Sequence, residues 1–302
     1  MSHRGGTGAA RVEAQAKLNL FLRVGARDPG GYHQLETLFQ RIALADGVTV
    51  RTGLAGRSLD CAGANTGPVE QNLAWRAANA FATAAGWPDG FAIEIHKRIP
   101  VGGGLGGGSA DAAAVLRVLN ALAPRPLDDT SLAVIAFGLG ADVPYLLTEH
   151  ALALGSGRGD RLVALHPLPA RDVLLVVPSF GVSSTDAFAW HAALQRETAP
   201  AARAPRLLPS PLSWFVVGEL AENDLESAVF AKHPELAELR SALERSGARI
   251  ARMTGSGSTL FGVYDAEGIA QSEITTNIDL DRIPAKLVET ETVERVAGVE
   301  LL

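Results

Sequence analysis

Residues 100–116, PVGGGLGGGSADAAAVL, decide how this chain is read. Six of the seven residues at positions 102–108 are glycine, and an alanine-rich apolar pattern follows at once. Ahead of them FAIEIHKRI, residues 91–99, alternates as a strand does. Behind them Ala112, Val115, Leu116, Leu119 and Leu122 recur at helical spacing, which predicts a helix starting near Ser109, with Ser109 as its N-cap. Strand, glycine loop and helix start, in that order, make an anion cradle. Glycine lets backbone N–H groups converge on a ligand without Cβ clashes, and a helix mouth adds about half a positive charge. A flexible linker, the competing reading, is seldom wedged between two such regular flanks.

Absent motifs narrow the kind of phosphate site. Gly102, Gly104 and Gly107 satisfy GxGxxG only formally, because the segment about 20 residues on, NALAPRPLDD, lacks the strand and terminal acid of a dinucleotide site. The chain contains no GxxxxGK[ST], no HRD or DFG, no HExxH and no GxSxG. P-loop, protein-kinase, zinc-hydrolase and serine-hydrolase signatures are therefore missing.

Composition sets the outer bounds. At 302 residues two domains around two cores are expected, and 47% hydrophobic with 20% charged residues is the balance of a globular protein. The formal net charge of −6 argues against a nucleic-acid surface but leaves room for a small anion in a local positive pocket. Cys61 is the single cysteine, so no intrachain disulfide or thiolate metal cage forms, and it is read as a small buried hydrophobe. No apolar run reaches the roughly 20 residues of a membrane span, and the opening MSHRGGTGAARVEAQ lacks a signal-peptide core. A cytoplasmic protein is expected, without membrane or nucleic-acid partners, as a monomer or homodimer.

Along the chain, AKLNLFLRV alternates from Ala16, with Leu18, Leu20 and Leu22 on one face and Lys17, Asn19 and Phe21 on the other, the period of a half-buried strand. YHQLETLFQRI and DGVTVRTG read as two further strands, the second introduced by an Asp-Gly turn. NLAWRAANAFATAAG reads as a helix stopped by Gly86. DVLLVVPS has the continuous apolar run of a buried strand, and STDAFAWHAALQ after it has helical spacing. RETAPAARAPRLLPSP, residues 196–211, is too rich in Pro, Ala and Arg for a regular element. Residues 222–247 read as helical, followed by a strand pair flanking TGSGST.

Three ordered segments then carry a resemblance. AKLNLFL near the start, the glycine loop, and RMTGSGSTLFGVY near the end resemble the three motifs of the GHMP kinase superfamily. GGYHQLETLFQ, GLGADVPYLL and NDLE from Asn223 resemble the branch that serves non-mevalonate isoprenoid (terpenoid) precursor synthesis, whose acceptor alcohol carries a cytidylyl group. The resemblance implies an α+β, two-domain fold: a ribosomal-protein-like nucleotide-binding domain over residues 1–165, a ferredoxin-like domain over 166–302, and the site in the cleft between. It implies an ATP-dependent small-molecule kinase using ATP and Mg²⁺.

By that resemblance Asp142 takes the proton of the acceptor hydroxyl and Lys17 pairs with it near the transferring phosphate. Taken singly, Asp142 reads as a helix or turn cap and Lys17 as a residue of a solvated strand face. The amides of Gly103, Gly104, Leu105, Gly106, Gly107 and Gly108 are expected to hold ATP phosphates, with the Ser109 hydroxyl on phosphate or Mg²⁺. Ala110 stands where many family members carry a second serine. Asn72 and Lys97 are placed at the adenine end, and Asn19, Tyr32, His33 and Phe188 at the cytidylyl substrate. Phe188 alone also reads as a core aromatic and His33 as a turn histidine. Thr254, Gly255, Ser256 and Gly257 support the cleft, although an ordinary hairpin turn explains those glycines as well. No residue is assigned to the metal. Two rivals stay open: a mevalonate- or homoserine-type kinase of the superfamily, which would lack the Tyr32–His33 step, and a nucleotide-binding sensor, which would not need Lys17 and Asp142.

Overall fold

A computed structural model describes residues 7–27, 30–64, 67–198, 206–265 and 282–302. The opening MSHRGG and residues 199–205 of the Pro/Ala/Arg-rich stretch lie outside the described residues. Strands β1 (Ala9–Arg27), β2 (His33–Thr52) and β3 (Arg57–Ala62) come first, then helix α1 (Leu73–Ala85) and strand β4 (Phe91–His96). The glycine loop leads into α2 (Gly107–Leu122), α3 (Asp129–Leu139) and α4 (Val143–Leu147), then strands β5 (Leu152–Gly157) and β6 (Arg161–Ala164). The rest comprises β7 (Asp172–Pro178), α5 (Ser184–Thr198), α6 (Trp214–Leu220), α7 (Glu226–Lys232), α8 (Pro234–Arg245), β8 (Ile250–Met253), β9 (Leu260–Val263), β10 (Ala285–Glu291) and β11 (Glu300–Leu301).

Among the described residues seven strands form one sheet in the order β11-β1-β2-β4-β3, with β5 also on β2 and β6 on β5; four form a second, β10-β7-β9-β8. Pairing is antiparallel throughout except for β3 on β4. Helix α2 lies across β1 and β2 with α1 packed on it, and α8 covers β8 and β9. In β7, Val173 and Leu175 enter the core shared with the first sheet, while Leu174 and Val176 enter a second core under α7 and α8. Burial on both faces is what wrote that strand as an unbroken apolar run.

Two expectations hold for stated reasons. Gly86 ends α1 at φ 63° in the left-handed region, and the helix opens on a cap the sequence reading did not name, Asn72, which accepts the Ala74 amide. The TGSGST segment does join two antiparallel strands.

Others are corrected. Strand β1 alternates only at its start and is buried on both faces from Ala14 to Leu22, because loops from distant sequence cover its second face; Lys17 is 2% exposed, not solvated. Asp46 and Gly47 make no turn. They sit inside the single strand β2, where Gly47 pairs with Glu13 on one side and His96 on the other. Helix α2 begins at Gly107 with Gly106 as its N-cap, so Ser109 lies in the first turn and is not the cap. The helical stretch at 222–247 starts at Glu226 and is divided at His233, ahead of Pro234, which cannot donate a helix hydrogen bond. Helix α5 runs on to Thr198, into the stretch read as irregular, whereas residues 206–211 have no regular structure. Cys61 is half-buried on edge strand β3.

Candidate active site

The phosphate cradle forms where strand β4 gives way to α2. The first hydrogen bond of α2 runs from the Ala110 amide to the Gly106 carbonyl at 2.8 Å. The amides of Gly107, Gly108 and Ser109 therefore have no helical acceptor. Gly107 and Gly108 line a groove of about 290 Å³ together with residues 100–106, Asn72, Lys97 and Asp111. Glycine is required at Gly104, whose φ is +78° and where a Cβ would collide with the Thr254 carbonyl. A larger open groove of about 660 Å³ lies between residues 43–45 and 289–291, but its charged residues Arg98, Asp172, Glu289 and Glu291 come with no such amide cradle.

Beside the cradle, Lys17 Nζ lies 3.3 Å from Asp142 Oδ2. Both sequence-expected partners meet, and each does what its ordinary reading denied. Asp142 occupies the N-cap position of α4 yet its side chain caps nothing. Lys17 is held along its whole length. Its amide donates to the Leu105 carbonyl at 3.0 Å, its ammonium donates to Asn19 Oδ1 at 2.7 Å, and a Cβ on Gly106 would sit 3.1 Å from its Cγ. Asn19 is fixed in turn by donating to Thr37 Oγ1 at 2.8 Å, and Thr37 donates to the Phe21 carbonyl at 2.7 Å. Asn19 thus orients the lysine. Ser109 approaches the loop that leads to Asp142, its Oγ 3.9 Å from where a Cβ of Gly140 would be.

The third loop leans on the first. Thr254 Oγ1 donates to the Gly104 carbonyl at 3.3 Å, and the Thr259 amide donates to the Gly103 carbonyl at 3.3 Å. A Cβ on Gly255 would lie 3.4 Å from Lys17 Nζ, and Ser256 Oγ bonds Ser184 Oγ at 2.9 Å. Asn223, first residue of the NDLE block, donates to the carbonyls of Met253 at 2.7 Å and Gly255 at 2.9 Å. Gly257 donates its amide to the Thr254 carbonyl at 3.0 Å, closing the turn.

Beneath the groove is a cluster the sequence did not disclose. Lys97 bridges Asp46 and Asp111, the three side chains being 3%, 0% and 4% exposed. Asp46 Oδ1 also accepts the Ile99 amide at 2.8 Å, tying β2 to the entry of the glycine loop. Burial, joined by the charge of Asp46, pushes Asp111 up to about 7 against the pull of Lys97. Burial alone would lower Lys97, but the two carboxylates outweigh it and raise its pKa. Asn72 lines the same groove, although its side-chain oxygen is spent on capping α1.

Arg41 was also missed. It lies opposite Lys17 in the β1–β2 register, is 2% exposed, and faces no carboxylate among its described partners. One nitrogen, Nη2, donates to the carbonyls of Leu146 at 2.7 Å and Thr148 at 2.9 Å. Those carbonyls end α4, the helix that Asp142 begins. The negative end of a helix stands in for a counter-ion, while burial pushes the guanidinium down to about 10.

At the far side, His33 and Phe188 come together with ring centroids 5.6 Å apart and planes at 21°. His33 Nδ1 donates to the Gly25 carbonyl at 3.0 Å, leaving Nε2 to accept from Arg27 Nε at 3.2 Å. Tyr32 is not part of that stack. It is 58% exposed, and its ring lies under the guanidinium of Arg158, 3.8 Å from the centroid.

A glycine loop at a helix mouth, a buried lysine on a carboxylate, and a third loop bracing both are the parts of one family. The sequence profile of the GHMP kinases N terminal domain matches residues 72–149, and that of the GHMP kinases C terminal region matches residues 216–275. The chain belongs to the GHMP kinases. Within that family, curated relatives that match it along most of its length are named 4-diphosphocytidyl-2-C-methyl-D-erythritol kinase. The Geobacter sp. (strain M21) protein is 41% identical over 264 residues, 86% of this chain and 91% of the relative. The Moorella thermoacetica protein is 40% identical over 270 residues, 88% of this chain and 94% of the relative. A crystal structure of 4-(cytidine 5'-diphospho)-2C-methyl-D-erythritol kinase superposes with a TM-score of 0.73 at 35% identity, covering 93% of this chain and 98% of the other. The homoserine kinase of Cytophaga hutchinsonii shares the α+β fold at a TM-score of 0.70 but only 18% identity, covering 100% of this chain and 99% of the other.

Proposed function

We propose that this protein transfers the γ-phosphoryl group of ATP to the 2-hydroxyl of 4-diphosphocytidyl-2-C-methyl-D-erythritol, a step of non-mevalonate isoprenoid precursor synthesis. The observation that carries it is the Lys17–Asp142 contact of 3.3 Å beside the open amides of α2, joined to the shared name of the long relatives. The acceptor oxygen attacks the γ-phosphorus in line, the bond to the bridging oxygen breaks, ADP leaves, and the hydroxyl proton passes to Asp142. Lys17 offers its positive charge to the transferring group. Gly107, Gly108 and Ser109 supply amide donors to the phosphates.

Mg²⁺ belongs to this reading through phosphate oxygens. The described residues contain no group of three or more His, Cys, Asp or Glu side chains able to hold a metal. Mg²⁺ commonly rests on substrate phosphates with one or two protein oxygens, and the Ser109 hydroxyl beside the amide cradle fits that demand. When bound, the ion would neutralise phosphate charge. Tyr32, His33 and Phe188 form the cytidine end, with Thr254, Gly255, Ser256 and Gly257 bracing the cleft. No helix among the described residues is long and apolar enough to cross a membrane; the expected place of action is the cytoplasm, where ATP is available.

The deciding experiment is coupled ADP release with ATP and Mg²⁺, offering 4-diphosphocytidyl-2-C-methyl-D-erythritol beside mevalonate and homoserine. Turnover is expected with the first alone. Turnover restricted to the other two would overturn the substrate, and nucleotide binding without turnover of any would favour a sensor.

A further inference from the structure

We propose that Arg158 is the specificity residue that reads the diphosphate of the acceptor substrate, an inference resting on the cytidylyl-substrate reading above. Arg158 follows the last residue of β5, a strand zipped to β2 through the pairs Glu36 with Ser156 and Leu35 with Gly157. That pairing carries the β5–β6 turn to the start of β2, and Arg158 lays its guanidinium on the ring of Tyr32. The same turn abuts the block that holds Asp142. Gly159 is buried at φ +95°, and a Cβ there would stand 3.3 Å from the Ala141 carbonyl.

One turn therefore touches Tyr32 on one side and the loop of the catalytic carboxylate on the other. A cytidine-diphosphate-linked alcohol has its base at one end, its reacting hydroxyl at the other, and two negative phosphates between them. The ATP phosphates are provided for separately, by the glycine-loop amides. A guanidinium presents a planar fork of donors matched to phosphate oxygens, and the face of Tyr32 holds that fork in place by cation–π attraction. Asp160 Oδ1 accepts the backbone amide of Arg158 at 2.8 Å, which fixes the conformation of the turn.

The test titrates cytidine, CMP and CDP into the full-length protein saturated with a non-hydrolysable ATP analogue. Wild-type affinity is expected to rise about tenfold or more from cytidine to CDP, the size of one charge-assisted contact. In Arg158→Gln that rise should collapse while cytidine itself binds nearly as before; Arg158→Lys, keeping charge without the fork, should recover part of it. Arg161→Gln, an exposed charge on β6, should retain the full rise. In turnover, Arg158→Gln should raise KM for the cytidylyl substrate and leave KM for ATP unchanged. A CDP advantage that survives in Arg158→Gln, or a loss shared equally by cytidine and CDP, would overturn the proposal and leave the substrate reading standing. Wild-type protein that turns over no cytidylyl substrate would overturn both.

Discussion

Lys17 Nζ stands 3.3 Å from Asp142 Oδ2 although the two residues come from a central strand and from the start of a five-residue helix. The lysine is 3% exposed and the carboxylate 32%, so the pair is buried on its amine side and open on its acid side. A hydroxyl can reach the acid while the amine stays fixed by Asn19. Asp142→Asn preserves shape and removes the proton acceptor. It should lower kcat by about 100-fold or more with binding of a non-hydrolysable ATP analogue intact. Steady-state kinetics with calorimetric titration measure both, and near-wild-type turnover would remove Asp142 from the chemistry.

Arg41 connects that pair to the fold. It sits across from Lys17 on β2 and closes the helix begun by Asp142. Arg41→Met should destabilise the protein by about 3 kcal/mol, because the carbonyls of Leu146 and Thr148 lose a charged donor inside the core. Urea unfolding checks that magnitude. If the arginine also sets the aim of Asp142, kcat falls in Arg41→Lys by more than KM for ATP changes, at a temperature where both proteins are fully folded. An unchanged kcat in folded Arg41→Lys would reduce Arg41 to a packing role.

How far the sequence disclosed this site follows from range. The glycine loop, the stop of α1 at Gly86 and the strand pair around TGSGST were legible because glycine content and periodicity are local. The burial of Lys17 was not, since its second face is covered by Leu105, Gly106 and Gly255, far along the chain. The Asp46–Gly47 dipeptide misled for the same reason. Its turn tendency yields to strand partners on both sides and to the ion pair with Lys97. Arg41 and Asp111 looked like polar positions of an ordinary strand and helix, and nothing nearby announces the layer above them. The division at His233 and Pro234 was visible in the letters, yet the apolar period on both sides concealed it.

Gly104 and Gly102 separate backbone strain from collision. Both have φ +78°, but a Cβ at Gly102 meets nothing within 4 Å, whereas at Gly104 it meets the Thr254 carbonyl. Gly102→Ala should therefore cost only the left-handed penalty of about 1 kcal/mol. Gly104→Ala should cost more and weaken nucleotide binding, since the first and third loops must part. Thermal unfolding and analogue titration on the two variants decide the matter; equal effects would mean that the loops are not braced against each other.

Asp111 makes stability depend on pH. Burial and the charge of Asp46 raise its folded pKa from 3.8 to about 7 despite Lys97. Between those two values the folded protein holds a proton that the unfolded chain has released, so this group's contribution to stability falls as pH climbs and levels off above about 7. Asp111→Asn keeps an oxygen for Lys97 and removes the titration. The stability difference, wild type minus Asp111→Asn, should accordingly favour wild type more at pH 5 than at pH 8. Urea unfolding of both proteins at those two pH values reads the difference directly, with titrating groups remote from the Lys97 cluster cancelling. A difference independent of pH would mean that Asp111 is ionised throughout, its charge held by Lys97 more firmly than burial opposes it.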